Sequence, residues 1–147
     1  MKIIFLDIDG VLNNTLAPGV MHWNSTLTEC VDNLNFIVDS TDAKIIVISS
    51  WVDDIFFENN NEKLARFLYE RRLRRGSIID FRRNGATKED GITEIVHSNE
   101  SIESFVIIDD NPDIVQSEFL KSRHFITQSL MGLTKEDVQK VINLLME

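Results

Sequence analysis

Asp7 and Asp9 stand where a short apolar run, Ile3 to Leu6, meets Gly10, and that junction constrains the chain more than any other stretch. Four apolar residues ended by a glycine read as a central strand covered on both faces, as in a parallel sheet. Alternation along an extended chain sends Asp7 and Asp9 to one side, with Ile8 opposite. Two carboxylates at the end of a buried strand repel each other unless a cation or a shared proton lies between them. The carboxyl ends of strands are also where open α/β sheets bind ligands. The lesser alternative is that both aspartates are plain turn residues ahead of Gly10.

The same kind of junction recurs downstream. Ala43 to Ile48 is a second apolar run and ends in Ser49-Ser50-Trp51; Phe105 to Ile108 is a third and ends in Asp109-Asp110. Between the first two, apolar residues at 27, 30, 31, 34, 37 and 38 keep helical spacing, with Thr26 or Thr28 as cap. A helix is predicted from Glu62 to about Arg72, ended by Gly76, and an edge strand over Ser77 to Phe81. A short helical turn fits Ile55 to Phe57. Thr87 caps a helix that buries Ile92, Ile95 and Val96. Arg123 to Thr127 is a weak final strand, and Thr134 caps a last helix burying Val138, Val141, Ile142 and Leu145. Residues 13–25, with Pro18, Gly19, His22 and Trp23, read as a flap after the first strand. No repeat, linker or low-complexity segment divides the chain. Residues 1–147 are therefore expected to form one doubly wound, Rossmann-like α/β domain with helices on both faces of a parallel sheet.

Composition excludes several classes. At 147 residues, a single domain buries roughly 70% of the surface its unfolded chain exposes. No stretch approaches the ~20 apolar residues of a membrane span, and the run before Asp7 is too short for a signal peptide. The single Cys30 permits no internal disulfide, which fits a reducing cytoplasm, and its place on an apolar helix face marks a buried, inert thiol. A net charge of −9 argues against a surface that binds nucleic acid all over. Yet from Lys63 to Lys88 there are nine basic residues against Glu70 and Asp80, a local +7 that leaves −16 for the remainder.

Asp7-Ile8-Asp9-Gly10-Val11-Leu12 after an apolar strand is similar to the first motif of the haloacid dehalogenase (HAD) superfamily, most of whose members are Mg²⁺-dependent phosphatases. The second motif of that superfamily, an apolar strand ending in Ser or Thr, resembles Ile45 to Ser49. The fourth, an apolar strand ending in an acidic pair, resembles Phe105 to Asp110. The third is a lone basic residue between them, and Lys88 fills it, with Arg82 and Arg83 as competitors. All four follow in order and cover nearly the whole chain. There is little room between Ser50 and Lys88 for a separate cap domain, so the chain resembles the capless branch, whose open sites tend to serve large substrates. Ser49-Ser50-Trp51 and the short chain also resemble the HAD-type domains attached to RNA-repair proteins, although Val52 stands where Arg commonly follows the Trp.

The resemblance implies a phosphomonoesterase. A phosphate dianion repels a carboxylate nucleophile, so a divalent cation is needed to neutralise both, and Mg²⁺ takes carboxylates, phosphate oxygens and water. By resemblance, Asp7 is the nucleophile that forms an aspartyl-phosphate, and Asp9 the acid and base. Asp7, Asp110 and the backbone carbonyl of Asp9 would hold the cation, with Asp109 in support. Ser49 and Lys88 would bind and offset the phosphoryl charge, with Gly10 and Ser50 lining the substrate site. Arg71, Arg72 and Arg75, two of them four apart on one helix face, would hold further phosphates; alternatively the acidic remainder of the chain neutralises them. The expected partner is a phosphorylated small molecule, phosphoprotein or nucleic-acid end. The rival of another class is a phosphate-binding module without turnover. No Gly-x-x-x-x-Gly-Lys-Ser/Thr stretch supports a P-loop kinase.

Overall fold

Ile3 to Leu6 lie in β1 (Lys2–Leu6), and every one of the four is fully buried because β1 is the middle of five parallel strands. The computed structural model describes residues 1–13, 28–53, 57–58, 60–82 and 87–147. The predicted flap with His22 and Trp23, the cap at Thr26, the turn at Ile55 and the competitor Arg83 lie outside the described residues. The remaining strands are β2 (Lys44–Val47), β3 (Ile78–Phe81), β4 (Ser104–Asp109) and β5 (His124–Ile126), in the spatial order β3-β2-β1-β4-β5. Register pairs Leu6 with both Val47 and Ile108, so the residues that follow all three strands emerge at one level.

Helices α1 (Thr28–Thr41), α2 (Asn61–Glu70) and α5 (Lys135–Met146) cover one face of the sheet, while α3 (Lys88–Ser98) and the short α4 (Glu118–Lys121) cover the other. Strand alternation feeds the two layers separately: Ile4 and Leu6 pack with Leu34 and Val141, Ile3 and Phe5 with Ile92 and Leu120. This is the doubly wound α/β sheet expected. Cys30 is buried as expected, and burial raises its thiol pKa.

Several boundaries differ from expectation. Thr87 does cap α3, its hydroxyl accepting from the Asp90 amide at 3.1 Å. Helix α2 starts at a cap the periodicity does not reveal, Asn60, whose side chain accepts from the amides of Glu62 and Lys63. It also ends before Gly76. Arg72 adopts φ +80° with its amide on the Tyr69 carbonyl, and the Leu73 amide reaches Leu68. That pair of bonds is a Schellman ending, with an arginine in the left-handed position glycine usually takes. Gly76, at φ +78°, shapes the next turn instead. After Ile48 the second apolar run leaves the sheet in a 3-10 turn, Ser50–Asp53.

Candidate active site

The Asp7 amide donates to the Ile108 carbonyl at 3.0 Å, continuing the β1–β4 ladder one step past the strand. Its side chain follows the parity of Ile3 and Phe5 toward the α3 face. Lys88, the first residue of α3, reaches across: its ammonium lies 3.3 Å from Asp7 Oδ1 and 2.9 Å from Asp109 Oδ2. Asp109 is buried, its other oxygen accepting from the Asn111 amide. Asp110 turns toward Ser129, whose hydroxyl donates to Oδ2 at 2.7 Å. Asp7, Asp109 and Asp110 thus each bring a carboxylate oxygen into a group no wider than 4.8 Å.

Three carboxylates with one ammonium leave a surplus of negative charge in a poorly hydrated place. Burial, then the neighbouring Asp109, push the Asp7 pKa up to about 7 even though Lys88 pulls it down. Burial works against the Lys88 ammonium as well, but Asp7 and Asp109 outweigh it and raise its pKa. An all-oxygen donor set with excess negative charge suits a hard divalent cation. Gly10 makes the arrangement sterically feasible. A Cβ on its φ +77° backbone would sit 2.2 Å from Asp110 Oδ2.

Asp9 does not stay on the side of Asp7. The chain stops being extended after Ile8, whose carbonyl accepts from the amides of Val11 and Leu12, and strand alternation no longer applies. Its carboxylate is gripped elsewhere. Trp51 Nε1 donates to Oδ2 at 3.0 Å and Asn13 Nδ2 to Oδ1 at 3.0 Å. The Asn13 carbonyl oxygen in turn accepts from the Gly10 amide at 2.9 Å. Ser49, fully buried at the end of the second run, accepts from the Trp51 amide at 3.1 Å, and Ser50 beside it is exposed.

The structure therefore draws Asp7, Lys88, Asp109 and Asp110 into one cluster, with Asp9, Gly10, Ser49 and Ser50 at the same edge of the sheet. Arg82, the competitor of Lys88, pairs instead with Glu94 at 3.3 Å. The Gly10 amide points to Asn13, so what Gly10 contributes is space for Asp110 rather than a donor for substrate. Arg71, Arg72 and Arg75 are not brought to this cluster. They lie in the turn between the end of α2 and the start of β3, which a parallel crossover puts at the amino edge of the sheet, opposite Asp7. Arg72 pairs with Asp32 at 3.5 Å and its neighbour Arg74 with Asp39 through two nitrogens at 3.0 and 2.5 Å. Arg71 lays its guanidinium 3.4 Å from the centre of the Phe67 ring.

With this geometry in view, comparison with known proteins is decisive for the family. Residues 3–138 match the model of the HAD domain in Swiss Army Knife RNA repair proteins. The chain belongs to this family. Neither the search of curated proteins nor that of solved structures returned a match. Membership agrees with the five-stranded parallel HAD-like sheet and with an acidic cluster able to bind a metal at its carboxyl edge. Among the described residues no helix is long and apolar enough to cross a membrane.

Sequence reasoning did not single out Asn13 or Ser129, and it saw Trp51 only as part of a strand-end motif. Asn13 follows Val11-Leu12 and is fully buried, a place where an amide is stable only with its polar atoms paired. Nothing local to the sequence marks that pairing. Ser129 sits in a turn closed by the Met131 and Gly132 amides on the Gln128 carbonyl, nineteen positions from Asp110.

Proposed function

We propose that this domain is a Mg²⁺-dependent phosphatase that removes a terminal phosphate from a nucleic-acid end through an aspartyl-phosphate on Asp7. The observation that carries the reading is the bridging of Asp7 and Asp109 by Lys88, with Asp110 within the same 4.8 Å group. Bound there by Asp7, Asp110 and the Asp9 carbonyl, with Asp109 in support, the cation would offset the repulsion between carboxylate and phosphate dianion.

The chain's own residues supply the rest. A carboxylate oxygen of Asp7 bonds to phosphorus in line with the leaving oxygen, which takes the electron pair of the broken P–O bond and a proton from Asp9. Asp9 then accepts a proton from water as that water's oxygen attacks the phosphoryl-enzyme, and the bonding pair returns to Asp7. Lys88 favours the ionised form of Asp7 and offsets charge on the phosphoryl group, and Ser49 donates to one of its oxygens. A nucleic-acid end as substrate rests on the family, whose described setting is RNA repair. We infer an open, capless site, which would suit such a substrate; in support, the described residues between Ile48 and Ser77 form a 3-10 turn and α2.

The test is a panel of phosphorylated substrates with Mg²⁺: RNA and DNA oligonucleotides bearing 3′- or 5′-phosphate, phosphopeptides and small phosphorylated metabolites. Release of phosphate from oligonucleotide ends at a kcat/KM well above that for metabolites supports the reading. Preference for metabolites or phosphopeptides overturns the substrate class, and no release from any of them overturns the activity.

A further inference from the structure

Among the described residues, Asn13 and Trp51 hold Asp9, the acid and base of the proposed reaction, and neither has a part in the steps of that reaction. We propose that Asn13 and Trp51 are positioning residues that aim the Asp9 carboxylate at the leaving oxygen and, afterwards, at the attacking water. This rests on the phosphatase reading and adds to it the parts of the fold that orient its proton-transfer group.

Both oxygens of Asp9 are engaged by donors that cannot easily turn away. Asn13 is fully buried, and its amide is fixed at both ends, Oδ1 on the Gly10 amide and Nδ2 on Asp9 Oδ1. Because Gly10 also leaves room for Asp110, the bond from its amide links the orientation of Asp9 to the placing of the metal-binding carboxylates. Trp51 is only 3% exposed, and among the described residues two rings pack against its indole. Phe57 stacks on it at 5.9 Å between centroids and Phe67 meets it edge-on at 5.6 Å. Phe57 and Phe67 touch each other at 5.3 Å, and Arg71 covers Phe67. The indole N–H is therefore directed by the 3-10 turn and α2 together, elements that do not themselves carry a reacting group. A solvent-exposed turn carboxylate rotates freely; this one has its plane set by a core. General acid and base catalysis is worth about 10²–10⁴-fold, and only when the proton lies within hydrogen-bond reach of the reacting oxygen. A tilt of Asp9 thus costs rate without costing substrate binding.

Leaving groups separate positioning from mere support of the fold. An alkyl phosphate expels a sugar-like alkoxide that must be protonated, whereas an aryl phosphate expels a stable phenolate that scarcely needs it. Single-turnover release of alcohol or phenol is measured for a 3′-phosphorylated oligonucleotide and for p-nitrophenyl phosphate with wild type, Trp51→Phe and Asn13→Ala. Trp51→Phe removes the indole donor and keeps a ring between Phe57 and Phe67. The ratio of the two rates within one sample cancels any unfolded fraction, so a partly folded variant still reports. Expected is a fall of ~10-fold or more in the alkyl-to-aryl ratio for each variant, with KM for the oligonucleotide within about twofold of wild type. An unchanged ratio in both variants, whether or not the rates themselves fall, overturns the inference. Asp9→Asn distinguishes the two levels of argument. If Asp9→Asn lowers the ratio and the other two do not, only the positioning role fails. If Asp9→Asn leaves the ratio at the wild-type value, Asp9 is not the acid and the mechanism itself is wrong.

Discussion

At the carboxyl edge of the sheet Asp7 and Asp109 share one lysine, with the Asp110 carboxylate beside them; at the amino edge Arg72 and Arg74 each pair with an aspartate of α1. The first group is mostly buried and left with uncompensated charge. The second is exposed and matched one to one, and the acids that match it come from the strongly negative remainder of the chain. Local charge density read from sequence makes the arginine segment the more conspicuous of the two. Burial reverses that ranking, because charge screened by water has little consequence while charge out of water must find a partner, bind an ion or change its protonation. A run of like charges in sequence thus says less about binding than a pair of like charges at the end of an apolar strand.

The largest effect that would separate the two edges is on turnover. Asp7→Asn is expected to lower phosphate release by at least ~10³-fold, because it removes the nucleophile of the proposed reaction. Replacing Arg72, Arg74 and Arg75 together with Gln is expected to leave kcat/KM for oligonucleotide and aryl phosphate within about twofold of wild type. Arg71 is kept in that variant because it packs on Phe67. A selective rise in KM for the oligonucleotide, with a flattened salt dependence, would break the comparison and give the arginines a phosphate to hold.

Stability sharpens the comparison further, measured by urea unfolding in chelator. With its folded pKa raised to about 7 from 3.8, Asp7 favours the native state while protonated. That contribution is complete below pH 3.8 and is lost as pH rises through 7. Metal-free Asp7→Asn should accordingly be the more stable protein at pH 8, by roughly 2–4 kcal/mol, and the gap should close toward pH 4. Adding Mg²⁺ at pH 8 should raise the stability of wild type and much less that of Asp7→Asn. Lys88→Met breaks a buried pair and should cost about 3–5 kcal/mol in metal-free protein at pH 8. Below pH 6 the loss should shrink, because Asp7 then takes a proton instead of standing unpaired. A pH-independent gap for both variants would mean that the cluster is better hydrated than its burial indicates.

What was legible in the sequence follows the same physical line. Strand ends were legible because apolar runs and their terminators are local, and Asp7, Ser49 and Asp109 fall at one level once the strands are known to be parallel. Lys88 was legible only through the resemblance to the third HAD motif; the Thr87 cap, which makes it the first residue of α3, is what brings it to that same edge. The direction of Asp9 was not, since it depends on where the extended chain stops, one residue after the parity rule still holds for Asp7. Asn13 and Ser129 were not, since a buried amide or a turn hydroxyl gains its meaning only from partners the fold supplies. Helix α4, four residues long, is shorter than any periodicity can register.

The arginine edge also contains the smallest effect and the most local one. Arg72 holds φ +80°, a conformation that costs an L-residue roughly 1 kcal/mol or more and glycine almost nothing. What keeps it there is visible: the Schellman bonds to Tyr69 and Leu68, burial of Leu73, and the Asn35 side chain, which donates to the Arg72 carbonyl at 2.7 Å and accepts from the Arg74 amide at 2.8 Å. None of these contacts uses the Arg72 side chain, whose one ion pair is long and exposed, with Asp32 at 3.5 Å. Such a pair is worth about 0–1 kcal/mol. Arg72→Gly should therefore relieve more than it removes, even after the greater freedom of glycine in the unfolded chain is counted. The expected outcome is a gain of about 0.5 kcal/mol, read as a higher urea midpoint at unchanged m-value, with activity unaffected. Arg72→Ala separates the two contributions, because it drops the ion pair and keeps the strained φ; it should be neutral to slightly destabilising. Loss of stability in Arg72→Gly larger than in Arg72→Ala would show the turn to be held by the stiffness of the residue and not by Asn35.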